Sequence, residues 1–248
     1  MADTIPTIAA LRERLSIMDR VRPPKGRTAL SLGLSCLDAA LAGGGLVRGG
    51  MHEFLPAPAD AGALGFVASI LSGLPPGPIL WCRHKNKGDP LGHADMPYGP
   101  GLAALGLDAS RLILVRPDSL DDALWALEEA LRCSALAAVV GDGVLPGAVA
   151  LRRLQLAAED GDALGLLILP PLARPPPSVA LTRWRIASLR DGPPQEEGGR
   201  PRWQVSLLRA RGGGGGSGSG PWEVTWDDTT FRLRLAQPLA NGPVAAAE

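Results

Sequence analysis

Between residues 50 and 170 the chain alternates short apolar runs with longer amphipathic stretches. The apolar runs predict β-strands at 52–55, 79–82, 112–115, 137–140 and 164–169. The intervening stretches predict helices near 62–73, 99–106, 119–133 and 148–160. Strands that are apolar throughout and are separated by helices are typical of a parallel sheet covered on both faces. We therefore predict an α/β fold with a mostly parallel sheet and helices on both faces.

The pattern changes after residue 170. Segments near 179–189, 202–210, 222–226 and 230–235 alternate apolar and polar positions, as half-exposed antiparallel strands do. The proline triplet 175–177 predicts a stiff extended stretch, and the glycine-rich tract that starts at residue 212 predicts a hairpin tip or a linker. We expect these strands to extend the sheet in antiparallel fashion.

The first twenty residues carry an apolar stripe at near-helical spacing, which consists of Ile5, Ile8, Leu11, Leu15 and Met18. Two prolines at 23 and 24 end this predicted helix. Such a helix either folds back on its own domain or docks on a partner, and its apolar stripe is a candidate partner surface. The predicted organisation is an N-terminal helix and hinge (1–24), a core (25–236) and a flexible tail (237–248).

Composition narrows the class of protein. Lys+Arg 25 against Asp+Glu 25 gives no net charge, so nothing global favours nucleic acid or an anionic membrane. A hydrophobic content of 46% excludes wholesale disorder. Three widely spaced cysteines with no CxxC suggest neither disulfides nor zinc. With no secretory or membrane-spanning segment, we expect a cytoplasmic protein.

The opening segment "LSCLDAALAGGGLVRGGMHEFL" (34–55) resembles the start of a RecA-type recombinase core. Further segments along the chain resemble segments of that family and occur in the same order. "YGPGLAALGLD" (98–108) is similar to a conserved segment of it, and "VVGDG" (139–143) lies where its Walker B strand would be. The resemblance implies a RecA-like core over most of residues 30–235, with Asp142 as a remnant of the Walker B carboxylate.

The phosphate loop departs from this family. A working loop reads G-x-x-x-x-G-K-[ST], in which a lysine contacts the phosphates and a hydroxyl binds Mg²⁺. The corresponding turn "PAPADAGAL" (56–64) has neither residue. Pro56 and Pro58 remove two N–H donors, Asp60 adds negative charge, and only Gly62 of the pattern is retained. We expect no nucleotide, cofactor or metal to bind here.

Two other groups of the family are also missing. Its catalytic carboxylate is replaced by a basic group near Arg83, and its phosphate-sensing glutamine falls at about Pro171. We therefore predict a protein that is not an enzyme. The basic loop 83–96 is either a solvated loop or a contact for an anion or a DNA backbone, and metal binding by its histidines and aspartates is disfavoured for lack of a ligand motif.

Tryptophans and arginines interleave in the last strands. Such a sheet either packs its aromatics or presents them to a protein or to single-stranded bases. The candidate partner or DNA surface consists of Trp203, Trp222, Trp226, Arg202, Arg209 and Arg211.

Among degenerate relatives of RecA, the chain is identified as a member of the ImuA family. This resemblance rests on the N-terminal helix, the 34–55 segment without a Walker lysine, and the "RWQVSLLRARGGG…WEVTWDD" hairpin. It implies a non-catalytic accessory role in SOS-induced, error-prone translesion synthesis. The implied partners are an ImuB-like Y-family polymerase homologue, the RecA filament and, indirectly, an error-prone replicative-type polymerase. Alternatives are an SOS cell-division inhibitor and an ATPase with an atypical site.

Overall fold

A computed structural model describes residues 28–84, 97–189, 200–212 and 219–236 of the chain. The predicted N-terminal helix with Ile5, Ile8, Leu11 and Leu15, most of the basic loop and the predicted tail lie outside the described residues. The described elements, in chain order, are β1 (Ala29–Leu30), α1 (Ser35–Ala39), β2 (Leu46–Val47), β3 (Gly50–Pro56), α2 (Gly62–Ser72), β4 (Ile79–Arg83), α3 (Gly99–Ala104), a 3₁₀ turn (Ala109–Arg111), β5 (Leu112–Val115), α4 (Leu120–Leu131), β6 (Ala138–Asp142), α5 (Ala148–Gly161), β7 (Leu164–Ile168), β8 (Thr182–Ser188), β9 (Arg202–Ala210), β10 (Ser219–Asp227) and β11 (Arg232–Leu235).

Strands β3 to β11 share one sheet in the order β11-β10-β9-β8-β3-β7-β6-β4-β5. The six strands from β8 to β5 pair in parallel, and β9, β10 and β11 extend the sheet in antiparallel fashion. The first two strands form a separate small ladder. The predicted α/β class and its antiparallel extension are confirmed.

Helices cover both faces of this sheet. On one face α1, α2 and α3 enclose a core around Phe54, Phe66 and Trp81. On the other face α4 and α5 pack over Met51 and Leu55. Successive residues of β3 therefore point to opposite faces that are both covered, which explains why the strand is buried from Gly50 to Leu55.

Helix α4 begins where the sequence predicts. The Ser119 side chain accepts a hydrogen bond from the Asp122 N–H (3.1 Å), which satisfies one of the donors at the helix start. Asp121 and Asp122 lie in the first turn, where negative charge suits the helix dipole. This capping fixes the helix that follows the edge strand β5.

One strand differs from its predicted pairing. We expected the segment around β8 to be antiparallel, but β8 runs parallel to β3 and antiparallel only to β9. A parallel connection needs a crossover of about a dozen residues, and the proline-rich segment 169–181 supplies that length.

No helix among the described residues is long and apolar enough to cross a membrane.

Candidate functional site

The turn after β3 joins that strand to α2 at the carboxyl edge of the sheet, where ligands of parallel α/β proteins usually bind. Pro56 ends the strand, and the Ala57 N–H donates to the Ile186 carbonyl of β8 (2.9 Å). Ala59 has a φ of 53°, a left-handed conformation that a residue with a Cβ rarely adopts. The turn is therefore held to β8 and closed tightly ahead of the helix.

The Asp60 carboxylate occupies the start of α2. Its Oδ1 accepts from the Gly62 N–H (2.8 Å) and the Ser188 hydroxyl (2.6 Å), and its Oδ2 accepts from the Ser188 N–H (2.5 Å). A side chain at residue 62 would meet this cluster, since a Cβ there would lie 2.6 Å from the Ser188 Oγ. We call Asp60, Gly62 and Ser188 the Asp60 clamp.

The clamp takes the place that an anion has in a phosphate-binding loop. Such a loop aims the N–H groups at a helix start toward a phosphate, and here the Gly62 N–H points at a carboxylate of the same chain. The next two positions, where the family's lysine and hydroxyl would be, carry Ala63, which is buried, and Leu64, which packs against the core. The geometry suits an internal cap better than an external phosphate.

Asp142, at the end of β6, forms a buried ion pair. Its Oδ2 lies 2.6 Å from the Arg83 Nη1 and accepts a longer hydrogen bond from the Trp81 Nε1 (3.2 Å). Strand register places Arg83 directly beside Asp142 on the neighbouring strand. The carboxylate that would hold Mg²⁺ in a RecA-type ATPase is thus matched by a guanidinium of its own chain.

Two neighbours complete this cluster. The His84 N–H donates to the Asp142 carbonyl (2.9 Å), while the His84 Nδ1 is buried with no hydrogen-bond partner among the described residues. Burial, and next the nearby Asp142 charge, raise the pKa of the Cys82 thiol to about 11. Cys82 therefore remains a neutral thiol near neutral pH and is not an activated nucleophile.

A second buried ion pair lies between β3 and β8. The Arg183 Nε is 2.6 Å from the Glu53 Oε2, and the Arg183 Nη1 donates to the Pro176 carbonyl (2.6 Å). Arg209 of β9 donates to the Ser178 carbonyl. These arginines hold the proline-rich crossover against the sheet.

Two of the three tryptophans in the candidate tryptophan–arginine surface are buried. Trp203 and Trp226 are 3% and 1% exposed, and Trp222 is half-buried against the same core. Trp203 packs edge-on against Phe66, with ring centroids 5.8 Å apart. The alternation of these strands turns the tryptophans toward α2 and α3. Trp203 and Trp226 therefore pack inside the fold and are not presented to a partner.

The arginines of this group are not arranged as one patch. Arg202 contacts Glu223 on the neighbouring strand (3.3 Å), and Arg209 is directed to the proline-rich crossover. The Arg211 Nε is buried with no hydrogen-bond partner in the described part of the chain. The structure therefore disperses Arg202, Arg209 and Arg211.

Sequence reasoning singled out Asp60 and Asp142 but missed the residues that neutralise them. Ser188 is 128 positions from Asp60, and Arg83 is 59 positions from Asp142. The only signal for the second pair was the basic residue in place of the family's carboxylate. Of the residues suggested for a metal site, only His84 lies in the described part of the chain.

These features define an α/β protein with a parallel sheet, an antiparallel extension and a carboxylate clamp in its first strand–turn–helix unit. No family model matches the chain. Protein ImuA of Caulobacter vibrioides is 34% identical to this chain over an alignment of 244 positions, and the match covers 88% of this chain and 93% of that protein. The same values hold for two strains, NA1000 / CB15N and ATCC 19089 / CIP 103742 / CB 15. The chain belongs to the ImuA family.

Proposed function

We propose that this protein is a non-catalytic, RecA-like accessory factor of SOS-induced, error-prone translesion synthesis in the cytoplasm. It acts through protein contacts with an inactive Y-family polymerase homologue of the ImuB type and with RecA. Membership of the ImuA family supports the process. The Asp60 clamp is the observation that supports the non-catalytic role.

A nucleotide would have to compete with the clamp. Its phosphates would need the Gly62 N–H that Asp60 already holds, and they would bring negative charge beside a carboxylate. The usual compensation, a lysine on the β- and γ-phosphates, is replaced by the buried Ala63. A phosphate at this turn would therefore gain no attraction from a lysine to offset its repulsion by Asp60.

The Arg83–Asp142 pair argues in the same way against Mg²⁺ binding. Mg²⁺ in NTPase sites is held by carboxylates and phosphate oxygens. Asp142 is already neutralised by Arg83 at 2.6 Å, so binding Mg²⁺ there would bring a divalent cation beside a guanidinium. Two independent elements, the turn after β3 and the end of β6, thus oppose ATP chemistry.

The first test is ultraviolet-induced mutation frequency in a strain deleted for the gene, with cell length scored in the same cultures. We expect induced mutation to fall toward background and to return with the wild-type gene. Loss of damage-induced filamentation with unchanged mutation would instead identify a division inhibitor. No change in either would overturn the proposal.

The non-catalytic part has its own test. Titration of the full chain with a fluorescent ATP analogue and Mg²⁺ should show no saturable binding, and the double variant Arg83→Gln/Asp142→Asn should complement the deletion. This variant keeps a neutral hydrogen-bonding pair but removes the remnant carboxylate. Saturable binding, or lost complementation by a variant shown to be folded, would favour the ATPase alternative.

A further inference from the structure

An open groove lies between α4 and α5, on the face of the sheet opposite α2. Its volume is about 210 Å³, and its lining includes Leu124 and Trp125 of α4 and Ala150 and Leu154 of α5. Trp125 is 66% exposed, although tryptophan normally buries most of its surface in a folded protein. The remaining lining residues are charged, namely Asp121, Glu128 and Arg153. An exposed tryptophan beside a partly apolar groove is typical of a binding anchor.

The groove arises from the way the two helices pack. At their C-terminal ends they touch: a Cβ on Gly161 of α5 would lie only 2.0 Å from the Leu131 carbonyl of α4. Toward their N-terminal ends they are separated enough to leave the groove beside Trp125.

The surface around the groove is acidic. Residues 120–132 contain four acidic residues and one arginine, a net charge of −3, while residues 148–161 are balanced. Glu128 pairs with Arg132 and Arg153, so Asp121 is the acidic residue that lines the groove with no carboxylate–guanidinium pair in the described part of the chain. An occupant should therefore combine apolar side chains with positive charge.

The first 27 residues of the same chain have this chemistry. They contain six basic and three acidic residues, a net charge of +3, around the apolar stripe of Ile5, Ile8, Leu11, Leu15 and Met18. A stripe at this spacing is what a helix lays into an apolar groove. This charge is opposite in sign to that of the surface around the groove; residues 5–18 themselves carry +1, and residues 19–27 carry +3.

The chain enters the described part near the C-terminal end of α5, beyond the closed end of the groove. The Thr28 carbonyl accepts from the Arg48 N–H (2.9 Å), and the Arg48 side chain donates to the Asp162 carbonyl just after α5 (3.1 Å). From there residues 19–27 can span up to about 30 Å. A helix over residues 5–18 would be about 21 Å long, as α5 is.

We propose that residues 5–18 bind in the α4–α5 groove of their own chain, running parallel to both helices, with the apolar stripe against Trp125. In this arrangement residue 18 lies near the C-terminal end of α5, and residue 7 lies near Ala150. The stripe that the sequence offers as a partner surface is then covered by its own chain. This inference does not depend on the role in mutagenesis.

Cross-linking in the full chain tests the arrangement. In a background with Cys36→Ala and Cys133→Ser, Thr7→Cys is combined with Ala150→Cys and treated with a short bismaleimide. The matched control combines Thr7→Cys with Thr229→Cys, which lies in the exposed turn between β10 and β11. We expect an internal cross-link, at the mass of one chain, for the first pair and not for the control.

Charge reversal adds an independent readout. Asp121→Lys together with Glu129→Lys should reduce the cross-link of the first pair to the level of the control pair, with the circular dichroism spectrum unchanged. A cross-linked dimer would mean that the groove takes a second copy. Equal yields for both pairs, no cross-link, or no effect of charge reversal in a folded variant would also overturn the proposal.

Discussion

Arg83 and Asp142 form an ion pair across the carboxyl ends of two neighbouring parallel strands, with 2.6 Å between the Arg83 Nη1 and the Asp142 Oδ2. Their side chains are 17% and 7% exposed, so the pair is largely shielded from water. The guanidinium thus places a positive charge directly against this carboxylate, which favours its ionised form. The end of β6 therefore brings a carboxylate and a guanidinium of the same chain together.

Removing one partner of this pair should be costly. Arg83→Ala leaves the Asp142 carboxylate buried without its charge partner, and we expect the free energy of unfolding to fall by roughly 3 kcal/mol. Urea denaturation measures this change. The double variant Arg83→Gln/Asp142→Asn should lose less, because no uncompensated charge remains. As a control, Arg152→Ala on the exposed face of α5 should change stability by less than about 0.5 kcal/mol. An equal effect of both alanine variants would contradict the assigned pairing.

His52 predicts a pH dependence of stability. Its ring is fully buried between the Thr182 hydroxyl (2.8 Å) and the Val47 carbonyl (3.0 Å). Burial lowers the pKa of His52 from 6.5 to about 4, against the opposing effect of the Val47 carbonyl. The Nε2–H donates to Val47 and the Nδ1 accepts from Thr182, so the bonds suit the neutral ring.

As the pH falls through 6.5 the unfolded chain binds a proton at His52, and the folded chain does so only near pH 4. The free energy of unfolding should therefore decrease between pH 6.5 and pH 4, by up to about 3 kcal/mol from this residue. Urea denaturation across this range, compared with His52→Gln, isolates the contribution. A wild-type slope equal to that of the variant would show that His52 does not titrate in this way.

Periodicity predicts most of the fold because each element is encoded locally. The strands β3 to β7 and the start of α4 appear close to their predicted places. The side-chain pairs do not follow from local pattern, since Asp60 meets Ser188 only because β8 lies beside β3 in the sheet. The burial of the tryptophans in β9 and β10 could not be predicted from the sequence either. Alternating apolar and polar residues show that a strand has two different faces, but they do not show which face the helices cover.

The proline-rich crossover should depend on Arg183. This side chain joins Glu53 to the Pro176 carbonyl, with Glu53 only 2% exposed. Arg183→Ala leaves that carboxylate unpaired, so we expect a loss of roughly 3 kcal/mol or more. We also expect faster amide hydrogen exchange over residues 178–181. Arg183→Lys should lie between the alanine variant and the wild type, because an ammonium cannot hold both partners in the same geometry. Unchanged exchange in the alanine variant would show that the crossover is held by other contacts.

Substitution of Asp60 distinguishes a structural role of the Asp60 clamp from a remnant of nucleotide binding. Asp60→Ala removes three hydrogen bonds to a charged group that is partly exposed, and we expect a loss of about 2 kcal/mol in urea denaturation. If the carboxylate only displaced a phosphate, the same variant would instead gain saturable binding of the ATP analogue. We expect no such gain, since Ala63 and Leu64 still replace the lysine and the hydroxyl. Asp118→Ala, an exposed substitution outside the clamp, serves as the control for stability. Destabilisation without nucleotide binding identifies the clamp as the internal cap of α2, whereas binding without destabilisation would mean that the turn keeps a usable phosphate site.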